Sequence, residues 1–108
     1  MADGLTMVTD ETFRAEVLES DRPVLVDFTA DWCPPCRMVA PVLAAVAVEE
    51  ADRLKVVALD VDLNPETQAA YGVLSMPTLV VFKNGEPVKS MVGARAKARL
   101  LRELADVI

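Results

Sequence analysis

The chain has 108 residues, 53% of them apolar and 26% charged, with a formal net charge of −6, two cysteines and no histidine. This predicts one ordinary globular domain, residues 1–108, large enough to bury a single core without a covalent staple. The acidic balance and scattered basic residues exclude a nucleic-acid surface, and no apolar run approaches the roughly 20 residues that span a bilayer.

A short strand is expected around Leu5 to Val8. The run ETFRAEVLES places Phe13, Val17 and Leu18 at helical spacing after the cap-like Thr9 and Asp10, predicting a helix from about Asp10 to Ser20. PVLVDFTA, after Pro23, is a β-branched run that reads as a strand buried on both faces, with Asp27 its one misfit. RMVAPVLAAVAVEE is rich in helix formers and should bend at Pro41, which lacks the backbone donor.

LKVVALDVD is a second buried strand. In NPETQAAYGV, Asn64 can cap, Pro65 fits the first turn and Gly72 can end a short helix. TLVVF and PVKSMV flank Asn84-Gly85, a hairpin signal that makes them antiparallel. Leu100, Leu101, Leu104 and Val107 or Ile108 form the apolar stripe of a final helix from about Ala96, with Arg95, Lys97, Arg99 and Arg102 expected on its solvated side. Strands joined through helices require right-handed parallel crossovers, so the expected fold class is α/β, a mixed central sheet with helices on both sides.

The segment DWCPPCRM holds both cysteines, three positions apart. The opening MADGLTMVTD shows no basic end followed by an apolar stretch, which predicts a cytoplasmic protein whose thiols are kept reduced. A bridge this short also constrains the unfolded chain very little, so a structural staple is disfavoured. Cys33 opens the long helix, where free N–H groups and the helix dipole favour the thiolate, the attacking species. Cys36 follows one turn later on the same face, drawn inward, able to attack a mixed disulfide at Cys33 and release the reduced partner.

Zinc is the bland alternative, but it takes four ligands and this chain has no other cysteine and no histidine, so no metal is expected. Trp32 can be a core residue, although its place on the turn beside the thiol suits an apolar contact for a partner. Asp27 has two readings: an exposed carboxylate on a wet face, or a buried one whose raised pKa suits proton exchange with Cys36. Pro35 tolerates a first helical turn, whereas Pro34, preceding a proline, should start that turn extended.

These residues resemble the thioredoxin family over nearly the whole chain: VLVDFTADWCPPCRMVAPVL, DVDLNPETQAAYGVLSMPTLVVFKNGE and VGA fall in the family's order and spacing. The resemblance implies the thioredoxin fold, a central mixed five-stranded sheet flanked by four helices. It implies a monomeric reductant of disulfide-containing proteins with no bound cofactor, carrying electrons in a redox-active Cys33–Cys36 disulfide and recharged by NADPH-dependent thioredoxin reductase. It also implies that Cys33 is the nucleophile, Cys36 the resolving thiol and Asp27 the buried proton-transfer group. The Met76-Pro77 bond would be cis and lie against the cysteines. The Met76 backbone would pair with an extended substrate, with Trp32, Val61, Met76, Pro77, Val92, Gly93 and Ala94 forming the substrate surface.

Three positions depart from the family pattern, which usually has Gly at Pro34, often Trp at Thr29, and a Lys near the buried Asp where this chain has Ala58. Without that cation the Asp27 pKa should be higher still. Two competing readings stay open: a binding module that uses the same surface without turnover, and a disulfide oxidase or isomerase. Two consecutive prolines stiffen the loop and favour its closure, while strain acts in the opposite sense. Replacing Pro34 by Gly is expected to shift the redox potential by about 10 to 40 mV, since about 1 kcal/mol corresponds to roughly 20 mV for two electrons. Equilibration with glutathione measures it.

Overall fold

The computed structural model describes residues 5–108. Five strands, β1 (Thr6–Met7), β2 (Val24–Thr29), β3 (Lys55–Asp60), β4 (Thr78–Lys83) and β5 (Glu86–Val92), form one sheet in the order β1-β3-β2-β4-β5. The first three are mutually parallel where they pair, and β4 runs antiparallel to both β2 and β5. All six residues of β2 are buried, as the unbroken β-branched run requires of a central strand. Asn84 and Gly85 both adopt positive φ (54° and 82°), the primed-turn geometry that fits the twist of a hairpin.

The helices are α1 (Pro34–Glu49), α2 (Pro65–Ala70) and α3 (Lys97–Leu104), with a π-helical turn at Arg14–Leu18. Alternation along the strands sends Val24, Val26 and Phe28 to one face, against Phe13 just before the π turn, Val17 within it and Val73 beyond α2. Leu25 faces the other way, against Val39 and Leu43 of α1 and Leu100 and Leu104 of α3. Each face of the sheet thus carries two helical segments. Phe13, Tyr71 and Phe82 lock the first face, with ring centroids 5.0–5.6 Å apart. α1 continues through Pro41 to Glu49, with Val39, Leu43 and Val46 fixing its buried stripe.

Three local expectations differ. The first helix is shorter than Asp10 to Ser20, because Phe13 and Leu18 are five apart and the wider π turn brings both over the same core. Arg95 is not on a solvated helix face: it precedes α3 and its side chain is only 4% exposed. Asn64 occupies the N-cap position of α2 without capping it; its amide accepts from Asp10 N (2.8 Å) and donates to Asp60 O (3.0 Å). The cap comes from across the chain instead. The Asp10 carboxylate accepts from Thr67 N (2.8 Å), Thr67 Oγ1 (2.6 Å) and Glu66 N (3.2 Å).

Partial burial raises the Asp10 pKa, but the hydrogen bonds from Thr67 and Glu66 outweigh it and hold the group below the ordinary carboxylate range. A depressed folded-state pKa gives stability that is present above the unfolded value and lost as pH falls through the folded one. Asp10→Ala is therefore expected to lower the urea midpoint at neutral pH. The deficit should shrink below about pH 4, as urea titrations across the acid range will show.

Candidate active site

Both cysteines sit at the end of the sheet where β2 and β3 finish. Cys33 and Cys36 form a disulfide with Cα atoms 5.3 Å apart, packed with Ala30, Val61 and Val73. Cys33 N donates to Ala30 O (3.3 Å), and Arg37 Nη1 donates to Asp31 O (2.7 Å), which ties the connecting turn to α1. Cys33 is the N-cap residue in an extended conformation (φ −103°, ψ 103°), and Pro34 is already the first helical residue. The residue displaced from helical angles is therefore Cys33, which itself precedes a proline, rather than Pro34.

A helix start leaves four amides without intrahelical partners, and here two of those positions are prolines with no N–H. Arg37 N is already turned to Cys33 O (3.3 Å). Cys36 N is left as the nearest donor and is aimed at Cys33 Sγ, 3.2 Å away. The same bond can hold a negative sulfur at Cys33, and the first turn of α1 contains no acidic residue to oppose it.

Asp27 lies on the sheet face covered by α1, two residues from Leu25. Its register partners are Ala58 on β3 and Leu79 on β4, both fully buried and both without charge. Neither carboxyl oxygen has a hydrogen-bond partner. Burial alone raises its pKa to about 7. Of the two readings left by the sequence, the wet-face one is excluded, since Asp27 is 1% exposed.

The Met76-Pro77 bond is cis, and Met76 O lies 3.6 Å from Cys33 Sγ. Gly93 N donates to Pro77 O (2.8 Å), which brings the Val92–Gly93–Ala94 segment alongside. Trp32 is 62% exposed and Val92 63%, while Met76, Gly93 and Ala94 are partly exposed. Val61 does not join that surface: at 2% exposure it points into the core beneath the disulfide, because β3 alternation pairs its side with Val57 and Leu59. In the disulfide the two cysteines are about equally enclosed, Cys33 at 2% exposure and Cys36 at 3%.

Sequence reasoning missed two neighbours. Asp62 accepts from Trp32 Nε1 (2.8 Å) and so fixes the indole beside the thiols, a long-range pairing that no local pattern announces. Leu74, 92% exposed, extends the apolar rim next to Val92; a lone leucine in a turn-rich loop was the available signal. No group of three His, Cys, Asp or Glu that could hold a metal occurs among the described residues.

The thioredoxin family model matches residues 4–106. The chain belongs to the thioredoxin family. It is 59% identical over 101 residues to thioredoxin of Mycobacterium tuberculosis, covering 94% of this chain and 87% of that one. It is 55% identical to thioredoxin of Streptomyces clavuligerus, covering 94% of each. A bifunctional thioredoxin reductase/thioredoxin of Mycobacterium leprae is 55% identical over 106 residues, 97% of this chain and 23% of its own length. With the Cys33–Cys36 pair in place, the protein is a thiol–disulfide oxidoreductase that reduces protein disulfides.

An Asp whose folded pKa is raised costs stability as pH climbs from the unfolded value to the folded one, because only the unfolded chain can ionise freely over that interval. With the Asp27 pKa near about 7, Asp27→Ala is expected to stabilise the fold by up to about 4 kcal/mol at about pH 8, and by almost nothing near pH 4. Urea unfolding at both pH values measures the difference. An equal effect at both would show that ionisation is not its source.

Proposed function

We propose that exchange begins at Cys33. Its thiolate attacks one sulfur of a substrate disulfide; the new Cys33–substrate bond forms as the substrate S–S bond breaks, and the departing thiolate takes a proton. Cys36 then loses its proton to the Asp27 carboxylate and attacks Cys33 Sγ. The Cys33–Cys36 bond forms, the mixed disulfide breaks, and the second substrate thiol leaves reduced. Two electrons have passed from the cysteine pair to the substrate.

The hydrogen bond from Cys36 N to Cys33 Sγ is the observation that carries this assignment. It favours anionic sulfur at Cys33 and gives Cys36 the second step. Asp27 suits the proton step because a carboxyl with a pKa of about 7 gains and loses a proton at neutral pH with little driving force either way. The substrate approaches as an extended segment against the Met76 backbone, which the buried Pro77 shapes from below, over Trp32, Val92, Gly93 and Ala94; the exposed indole and Val92 provide apolar contact. Pro34 and Pro35 tune the potential by stiffening the loop.

The protein acts as a monomer of one domain, with no bound cofactor, in the cytoplasm, on disulfide-containing proteins. The electrons return from an NADPH-dependent thioredoxin reductase, a partnership supported by the fused reductase and thioredoxin of the Mycobacterium leprae relative. A non-catalytic binding module is not favoured, since it has no use for paired sulfurs at a helix start.

Cys36→Ser is expected to accumulate a mixed disulfide with insulin through Cys33, detectable by mass spectrometry, whereas Cys33→Ser should trap nothing and lose essentially all insulin reduction. Trapping through Cys36 in the Cys33→Ser protein would reverse the two roles.

A further inference from the structure

Between β5 and α3 the chain passes Val92, Gly93 and Ala94, the segment read above as receiving the substrate. Arg95 follows, and its guanidinium turns back under this segment. Nη2 donates to Val92 O (2.5 Å) and Gly93 O (3.1 Å), and Nε also donates to Gly93 O (3.2 Å). Nη1 meets both carboxylate oxygens of Glu103 on α3, at 2.8 and 2.9 Å. The donors of the fork are thus divided between two loop carbonyls and one helix carboxylate.

Exposed ion pairs contribute little, but this one is built differently. The Arg95 side chain is 4% exposed, and a desolvated guanidinium with geometrically matched acceptors is a fixed strut. Glu103 is itself steadied by Arg99 Nε at 3.4 Å, and Lys89 Nζ donates to its backbone carbonyl (2.5 Å). The loop needs such support because Gly93 sits at φ +95°, a conformation its own sequence does not impose. From Gly93 the contacts continue: Gly93 N to Pro77 O (2.8 Å), and Met76 O to Cys33 Sγ (3.6 Å).

We propose that Arg95 and Glu103 are a positioning pair that holds the Val92–Ala94 segment in the shape that receives a protein substrate, setting affinity for protein disulfides while leaving the exchange chemistry alone. This rests on the reading that the segment contacts substrate. Neither residue touches the reacting sulfurs; both act through the loop. Lysine cannot replace Arg95 fully, since one ammonium cannot span two carbonyls and a carboxylate in the same plane.

The test compares single-turnover oxidation of the reduced protein by insulin and by dithiobis(nitrobenzoate), a disulfide too small to use the loop. Arg95→Gln and Glu103→Gln are expected to raise the insulin concentration for half-maximal rate about five- to tenfold, with the maximal rate and the small-disulfide rate kept within about twofold. Arg95→Lys should fall between, and the glutathione-equilibrated potential should not move. Unchanged half-saturation, or equal losses with both disulfides, overturns the proposal; if Arg95→Gln does not fold, Glu103→Gln decides. Val92→Asp separates the two layers. If it leaves insulin half-saturation unchanged, the docking reading itself fails; if it raises it while the charge variants are silent, only the strut fails.

Discussion

One amide, that of Cys36, sets the character of the site. Pro34 and Pro35 strip the first two helical positions of their donors, so the helix start presents its field to Cys33 Sγ mainly through the next N–H. The surrounding contacts keep that aim true. Cys33 N is tied to Ala30 O at the end of β2, Arg37 reaches back to Asp31 O, and Trp32 is moored to Asp62. A loop free to swing would lose the alignment of that amide on the sulfur, and each of these bonds removes one way for it to swing.

Beneath it, Asp27 is held under opposite physics. The helix start favours charge on a sulfur, whereas Ala58 and Leu79 disfavour charge on the carboxyl between them. An ordinary thiol and an ordinary carboxylic acid normally titrate several pH units apart, and burial narrows that gap from the Asp27 side by raising its pKa to about 7. In the exchange proposed above, a proton passing from Cys36 to Asp27 then meets a smaller free-energy difference, and the carboxyl that receives it is buried without a hydrogen-bond partner.

The elements were legible where one physical pattern dominates. Unbroken β-branched runs gave β2 and β3 as central strands, Asn84-Gly85 gave the hairpin, and the cysteine spacing gave two sulfurs close enough to bond. What escaped the sequence depends on partners far away along the chain. Asp10 looks like a cap for the helix beside it, yet it caps α2 across 57 positions. Arg95 looks like one more cation on a wet helix, and only the folded loop shows the carbonyls that enclose it. Val61 misled for a different reason: period-two alternation at the end of β3 turns it inward, and a motif carries no information about which way a side chain faces.

The location of β2 also bears on how firmly the redox pair is held. It is the middle strand of five, hydrogen-bonded on both edges, with Asp27 within it and the cysteine turn at its tip. Local opening at such a position costs more than at a loop or an edge strand, toward the limit of unfolding the whole domain. The turn that carries the cysteines is therefore anchored to the part of the sheet least able to open. A redox pair mounted this way keeps a fixed bearing on the core, because only Ala30, Asp31 and Trp32 separate Cys33 from the central strand.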